Sequence, residues 1–189
     1  MAKLYVVKTG QTYWEQQQRL ESTVGAPLTD QGARDVQDVA RQLVGLNISA
    51  MYAAKGEPEH HSAKLLAKML GLKVRTNSDL RELDYGLWQG LTVAEIKRRQ
   101  PKVYRQWTEN PASIRPPEGE TLADAQKRLS RAMKQISRRH KGQDVLLVLR
   151  PVALAVLHCL LSDETIDAIW RYVNADFTWA SYEIPLKTN

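Results

Sequence analysis

Leu4-Tyr5-Val6-Val7-Lys8-Thr9-Gly10-Gln11-Thr12-Tyr13-Trp14 begins with an apolar run and turns polar at once. The run reads as a short buried strand, and Gly10 punctuates the turn that follows. Lys8, Thr9 and Gln11 therefore fall at the carboxyl end of a first strand, where open α/β sheets bind ligands. A cation, a hydroxyl and a glycine amide open to close approach suit an oxyanion such as phosphate. A plain polar loop accounts for the same residues equally well.

Working outward, Tyr13 to Val24 is polar and irregular, and Arg19 is its one cation able to fold back over the first turn. Thr29 reads as the N-cap of a helix whose apolar positions Val36, Val39, Ala40 and Leu43 follow the helical period. Ile48 to Ala53 is a second strand, and its loop, Ala54 to Glu59, leads to a helix through Ala63, Leu66, Ala67 and Leu70 that Gly71 stops. Lys73 to Thr76 reads as a third strand. This alternation of strands and helices predicts a three-layer α/β/α domain around a mostly parallel sheet.

The segment from Leu80 to Glu120 is rich in acids, prolines and aromatics, among them Tyr85, Trp88, Tyr104 and Trp107. Linkers rarely carry such residues, so residues 80–120 are expected to form a helical insertion that walls or covers the sheet. Thr121 with Asp124 predicts the capped start of a long helix with the apolar face Leu122, Ala125, Leu129, Met133 and Ile136, closed at Gly142. Asp144 to Leu149 is the most apolar strand and is expected at the centre of the sheet. Arg150-Pro151 then begins a helix through Leu154, Val156, Leu157 and Leu161. A short helix near Thr165 to Tyr172 and a final or edge strand, Phe177 to Ile184, complete the chain.

At 189 residues the chain is the size of one ordinary domain, so residues 1–189 are read as a single unit. Its hydrophobic content of 43% fits a globular protein, and no apolar run approaches the roughly 20 residues a membrane span needs. The N-terminal apolar run is too short for a signal peptide, which gives a cytoplasmic expectation. The single cysteine, Cys159, excludes an internal disulfide and a cysteine-cluster metal site, and no metal or other cofactor is expected. A net charge of +6 permits acidic partners without requiring them. Lys127, Arg131, Lys134 and Arg138 line one face of the long helix, but no aromatic residues interleave with them. That face reads as solvated rather than as a nucleic-acid site.

Several of these stretches together resemble the histidine phosphatase superfamily, of the phosphoglycerate mutase-like fold. That family opens with Arg-His-Gly-Glu-Thr, where this chain has Lys8-Thr9-Gly10-Gln11-Thr12, and Pro27-Leu28-Thr29 matches its Pro-Leu-Thr. Leu80, Glu82, Gly86, Trp88 and Gly90 match its Leu-x-Glu-x-x-x-Gly-x-Trp-x-Gly segment. Pro116-Pro117-Glu118-Gly119-Glu120-Thr121 parallels Pro-Pro-x-Gly-Glu-Ser, and Asn174-Ala175 has a counterpart before the last strand. The order and spacing agree along nearly the whole chain.

In active members of that family, the first-strand histidine attacks a phosphoryl group. Two arginines and a second histidine hold its oxygens, and a carboxylic acid protonates the leaving oxygen. By this resemblance the nucleophile position is Thr9, the preceding arginine is Lys8, the second arginine is Pro58 and the second histidine is Arg150. Only the acid, Glu82, and an outer arginine, Arg19, match. A threonine hydroxyl needs a base to become a nucleophile, and Arg150 carries its proton at any ordinary pH. The expectation is a pseudoenzyme that binds phosphate, a phosphorylated small molecule or a protein partner. Lys8, Gly10, Arg19 and Arg150 are its candidate anion ligands, and the competing possibility is a cluster in which Lys8, Arg150 and Glu82 neutralise one another. The alternative is a phosphomonoester hydrolase or mutase with Glu82 as acid and a water, His60 or His61 in place of the missing histidine. His60 and His61 also read simply as surface residues at a helix start.

Overall fold

Strand β1 (Ala2–Lys8) alternates its side chains between two apolar layers. Leu4 and Val6 enter one buried cluster, Tyr5 and Val7 the other. Strand β4 (Asp144–Leu149) does the same, with Val145, Leu147 and Leu149 on the first face and Leu146 and Val148 on the second. A strand covered on both faces has no position left for a polar residue, which is why β4 reads as an unbroken apolar run. The computed structural model describes residues 2–22, 24–175 and 178–184.

The sheet has the order β3-β2-β4-β1-β5, with β2 at Ile48–Ala53, β3 at Val74–Thr76 and β5 at Trp179–Ile184. β4 sits at its centre, as expected. β1, β2, β3 and β4 run parallel, and β5 closes the β1 edge antiparallel. The expected last strand from Phe177 is found from Trp179; Phe177 lies outside the described residues.

One face carries helices α2 (Asp30–Leu43) and α3 (Glu57–Leu70), preceded in the chain by a single turn, α1 (Tyr13–Gln16). Val36, Val39, Ala40 and Leu43 of α2 meet Ala63 and Leu66 of α3 in that layer. Thr29 caps α2 by accepting the Gly32 amide at 2.9 Å. Gly71 ends α3 in the left-handed conformation at φ 67°.

The opposite face is covered by α6 (Leu122–Arg139) and α7 (Pro151–Ser162), and α6 starts with the expected Thr121–Asp124 capping box. α6 ends at Arg139, before Gly142, with His140 as its C-cap; the His140 ring bonds the Tyr52 hydroxyl at 2.9 Å. The insertion supplies α4 (Val93–Arg99) and α5 (Pro101–Glu109), and the chain passes through α8 (Ile169–Val173) before β5. Tyr85, Trp88 and Trp107 of this segment are buried in the same cluster as side chains of the sheet. Among the described residues, no helix is long and apolar enough to cross a membrane.

Candidate functional site

The parallel strands all deliver their carboxyl ends to one end of the sheet, and several buried polar residues, Thr9, Glu59 and Arg150 among them, follow those ends. Arg150 leaves the end of β4 with 2% exposure. Its Nη2 donates to Glu21 Oε2 at 2.7 Å and its Nη1 to the Ser22 carbonyl at 3.0 Å. Glu21 has 3% exposure and is held from three sides. The Thr12 hydroxyl donates to its Oε2 at 2.7 Å, and the Ala26 amide donates to its Oε1. Pro58, the first-turn proline of α3, packs its ring on Gly25, where a Cβ would lie 2.6 Å from the ring Cδ. Gly25 thus leans on the start of α3, and Glu21 brings its carboxylate to the guanidinium.

Glu82 plays a different part. Its Oε2 accepts the Val152 amide at 2.9 Å, and its Oε1 accepts the Ala153 amide at 2.8 Å and the Leu83 amide at 2.7 Å. Pro151 has no amide hydrogen and the Arg150 side chain does not cap the helix, so Glu82 satisfies the first free donors of α7 from across the site. Burial pushes its pKa up, while Arg150 and the three amides act against that rise. In place of the direct pairing that the competing possibility implied, Glu82 hydrogen-bonds to backbone amides and Arg150 to Glu21, while the Arg150 charge still acts on Glu82. Glu82 is itself fixed by Arg128, a buried residue of α6 whose guanidinium donates to the carbonyls of Asp79, Arg81 and Glu82 and pairs with Glu120.

The expected anion ligands are not brought together. Lys8, Thr9 and Gly10 line a cavity of about 290 Å³ beside Asp35 of α2, whereas Arg19 and Arg150 line a second one of about 420 Å³; Glu15 and Pro151 border both. The Gly10 amide donates to the Ser62 hydroxyl at 3.1 Å. A Cβ on Gly10 would run into the backbone of Gly32, with the carbonyl carbon at 2.8 Å. Packing alone therefore requires a glycine where the turn after β1 passes α2. Gly10→Ala is accordingly expected to lower stability by about 1–3 kcal/mol in denaturant unfolding, and a loss below about 0.5 kcal/mol would contradict this packing account. Arg19 directs its guanidinium to the Gly90 carbonyl at 2.7 Å and to Gln17 at 2.9 Å, with Glu95 at 4.0 Å. His60 is half-buried, His61 is exposed, and neither borders these two cavities.

Among the described residues, three buried side-chain polar atoms have no hydrogen-bond partner, Thr9 Oγ1, Arg150 Nε and Glu59 Oε2, and their residues all follow the carboxyl ends of the adjacent strands β1, β4 and β2. Burial pushes the Glu59 carboxyl up to about 7, a rise that Arg150 opposes and Glu82 and Glu21 reinforce. Burial also raises Glu15, with the Thr12 amide and Arg150 acting against the rise. For Arg150, burial disfavours the charge, but the carboxylates of Glu82, Glu59, Glu21 and Glu15 outweigh that cost and raise its pKa. One guanidinium thus stands among four carboxyl groups.

A family model for the histidine phosphatase superfamily (branch 1) matches residues 4–184, from β1 through β5. The chain belongs to that superfamily. Phosphoserine phosphatase 1 of Hydrogenobacter thermophilus, a similar curated protein, is 24% identical over 172 residues, which are 91% of this chain and 82% of that protein. The Bifunctional protein Rv2228c of Mycobacterium tuberculosis is 31% identical over 89% of this chain, which spans just under half, 46%, of its length. Among solved structures, YhfR of Bacillus stearothermophilus superposes with a TM-score of 0.86 at 27% identity, covering 90% of this chain and 84% of its own. The three-layer fold and the parallel sheet are those of this superfamily, whose named members include phosphatases and mutases.

Glu21, Glu59 and Arg128 are absent from the residues that sequence reading singled out. Glu21 lies only two residues after Arg19, in a stretch read as irregular. Its signal was an acid in a segment expected to fold over an anion site. Glu59 sat in the loop expected at the end of β2, masked by the two histidines that follow it. Arg128 was hidden by helical phase, since the neighbouring Lys127 and Arg131 belong to the exposed face.

Proposed function

We propose that this chain is a histidine phosphatase superfamily member that does not hydrolyse phosphomonoesters and instead uses the retained scaffold to bind a small ligand or a protein partner. The observation that carries the reading is the Glu21 carboxylate bonded to Arg150, because it places an internal anion on the buried guanidinium that follows β4. A phosphate dianion would have to displace that carboxylate and then sit beside Glu59, Glu15 and Glu82.

The other parts support the same conclusion. Thr9 stands where the family's motif has its nucleophilic histidine, and among the described residues its buried hydroxyl has no hydrogen-bond partner, so no base is bonded to it. Arg150, where the second histidine would stand, is permanently charged. Both Glu82 oxygens accept hydrogen bonds from backbone amides, so this carboxyl serves α7 before any leaving group. An acid without a nucleophile contributes only a small part of the acceleration that phosphate-ester hydrolysis demands.

Turnover tests this directly. With p-nitrophenyl phosphate, phosphoserine and 3-phosphoglycerate, the purified chain is expected to release phosphate no faster than a buffer blank. Release that is abolished by Glu82→Gln would instead establish the hydrolase reading with Glu82 as acid.

A further inference from the structure

We propose that the cavity bounded by the strand ends, α5 and α8 binds a small organic amine with an apolar, aromatic-sized body and a neutral oxygen acceptor. The inference rests on the reading that this site does not take phosphate. The cavity holds about 420 Å³, within the range of small-molecule sites, and the exposed Thr108 and Asn174 mark its rim.

Its walls are aromatic. Trp107 is the hub, with its ring centroid 5.2 Å from that of Trp170, 6.0 Å from Trp88 and 6.3 Å from Tyr85, each pair near edge-to-face. Such rings bury an apolar ligand body, and their faces attract cations. The inner end of the cavity carries Glu15, Glu21 and Glu82 around Arg150. Arg19 also borders it, but the Arg19 guanidinium is committed to the Gly90 carbonyl and to Gln17 on the wall, with Glu95 balancing its charge.

Three acids thus face two guanidiniums in the lining, and Glu59, outside the lining on α3, adds a fourth acid beside Arg150. Burial raises the pKa values of Glu15, Glu59 and Glu82 against the pull of Arg150, and neighbouring carboxylates add to the rise at Glu15 and Glu59. An ammonium group entering there lowers that cost, whereas a phosphate ester adds to it. Among the described residues the Nε of Arg150 is a donor without a partner, covered from solvent, and a hydroxyl or carbonyl oxygen on a ligand that reached it would satisfy it.

The experiment compares tyramine with its acid counterpart 4-hydroxyphenylacetate and with inorganic phosphate, extended to a set of aromatic and aliphatic amino alcohols. Calorimetry and tryptophan fluorescence follow binding to the full chain, since Trp88, Trp107 and Trp170 report on the cavity directly. At least one amine is expected to bind about tenfold or more tightly than its matched acid, with a change in tryptophan emission. Glu15→Gln should weaken that amine about tenfold. Glutamine also serves the third position of a capping box, so α1 keeps its cap. Equal or tighter binding of the acid, or no amine binding at millimolar concentration, overturns the proposal, and the wild-type comparison needs no variant. Turnover of phosphomonoesters, measured separately, would remove the parent reading instead.

Discussion

Glu21→Ala is expected to cost about 3–5 kcal/mol of unfolding free energy, the loss typical when one partner of a buried ion pair is removed. Arg150 is as buried as Glu21, and its charge would remain with only the Ser22 carbonyl fully engaged. Thr12 would lose the acceptor of its hydroxyl, and the Ala26 amide would lose its carboxylate. Urea denaturation of wild type and variant at pH 7 measures the loss, and a value below about 1 kcal/mol would refute the idea that this pair organises the site. The double variant Glu21→Leu/Arg150→Met is expected to recover much of the loss, because it removes both charges together.

The same variant reports on function. With the internal carboxylate gone, Arg150 is free to bind an added anion, so phosphate should raise the melting temperature of Glu21→Ala and leave wild type nearly unchanged. Ligand linkage sets the scale: phosphate at about 100 times its Kd would return about 2.7 kcal/mol. An equal response in both proteins would mean that Glu21 does not exclude anions, and the non-hydrolytic reading would lose its main support.

The contrast between Glu21 and β4 explains what was legible in the sequence. A doubly covered strand must be apolar at every position, and a helix must repeat its apolar residues every three to four positions, so β4, α2 and α6 are visible as patterns. The caps at Thr29 and Thr121 are equally local, since each bonds an amide three residues away. The site obeys no such period. Glu21 meets Arg150 across 129 positions, and Glu82 meets the α7 amides across 70 and 71. The motif order located the strand ends that make up the site, but the partner of each charge depended on contacts between distant parts of the chain, such as Gly25 against Pro58. Gly10 teaches the same lesson from the other side. Its place in a motif suggested a ligand contact, while packing against Gly32 gives a sufficient reason for glycine there.

Glu59 makes the buried charge of this site measurable as a pH dependence. Its carboxyl titrates at about 7 in the folded chain, against an ordinary value of 4.5. Between those values the folded state keeps a proton that the unfolded chain has lost, so stability falls as pH rises from about 4.5 to about 7 and levels off above. A displacement of this size corresponds to about 3 kcal/mol. Glu15 and Glu82 are raised in the same direction and steepen the wild-type profile, so the comparison with Glu59→Gln isolates the single group. Glutamine keeps the shape of the protonated acid and has no charge to bury. Glu59→Gln should therefore match wild type within about 0.5 kcal/mol at pH 4 and exceed it by about 3 kcal/mol at pH 8, measured by urea denaturation at both values. If the variant were instead less stable than wild type at pH 8, the Glu59 carboxylate would be a needed counter-ion of Arg150. The site would then be balanced as an ion cluster rather than overloaded with negative charge, and both the exclusion of phosphate and the attraction of amines would lose their electrostatic basis.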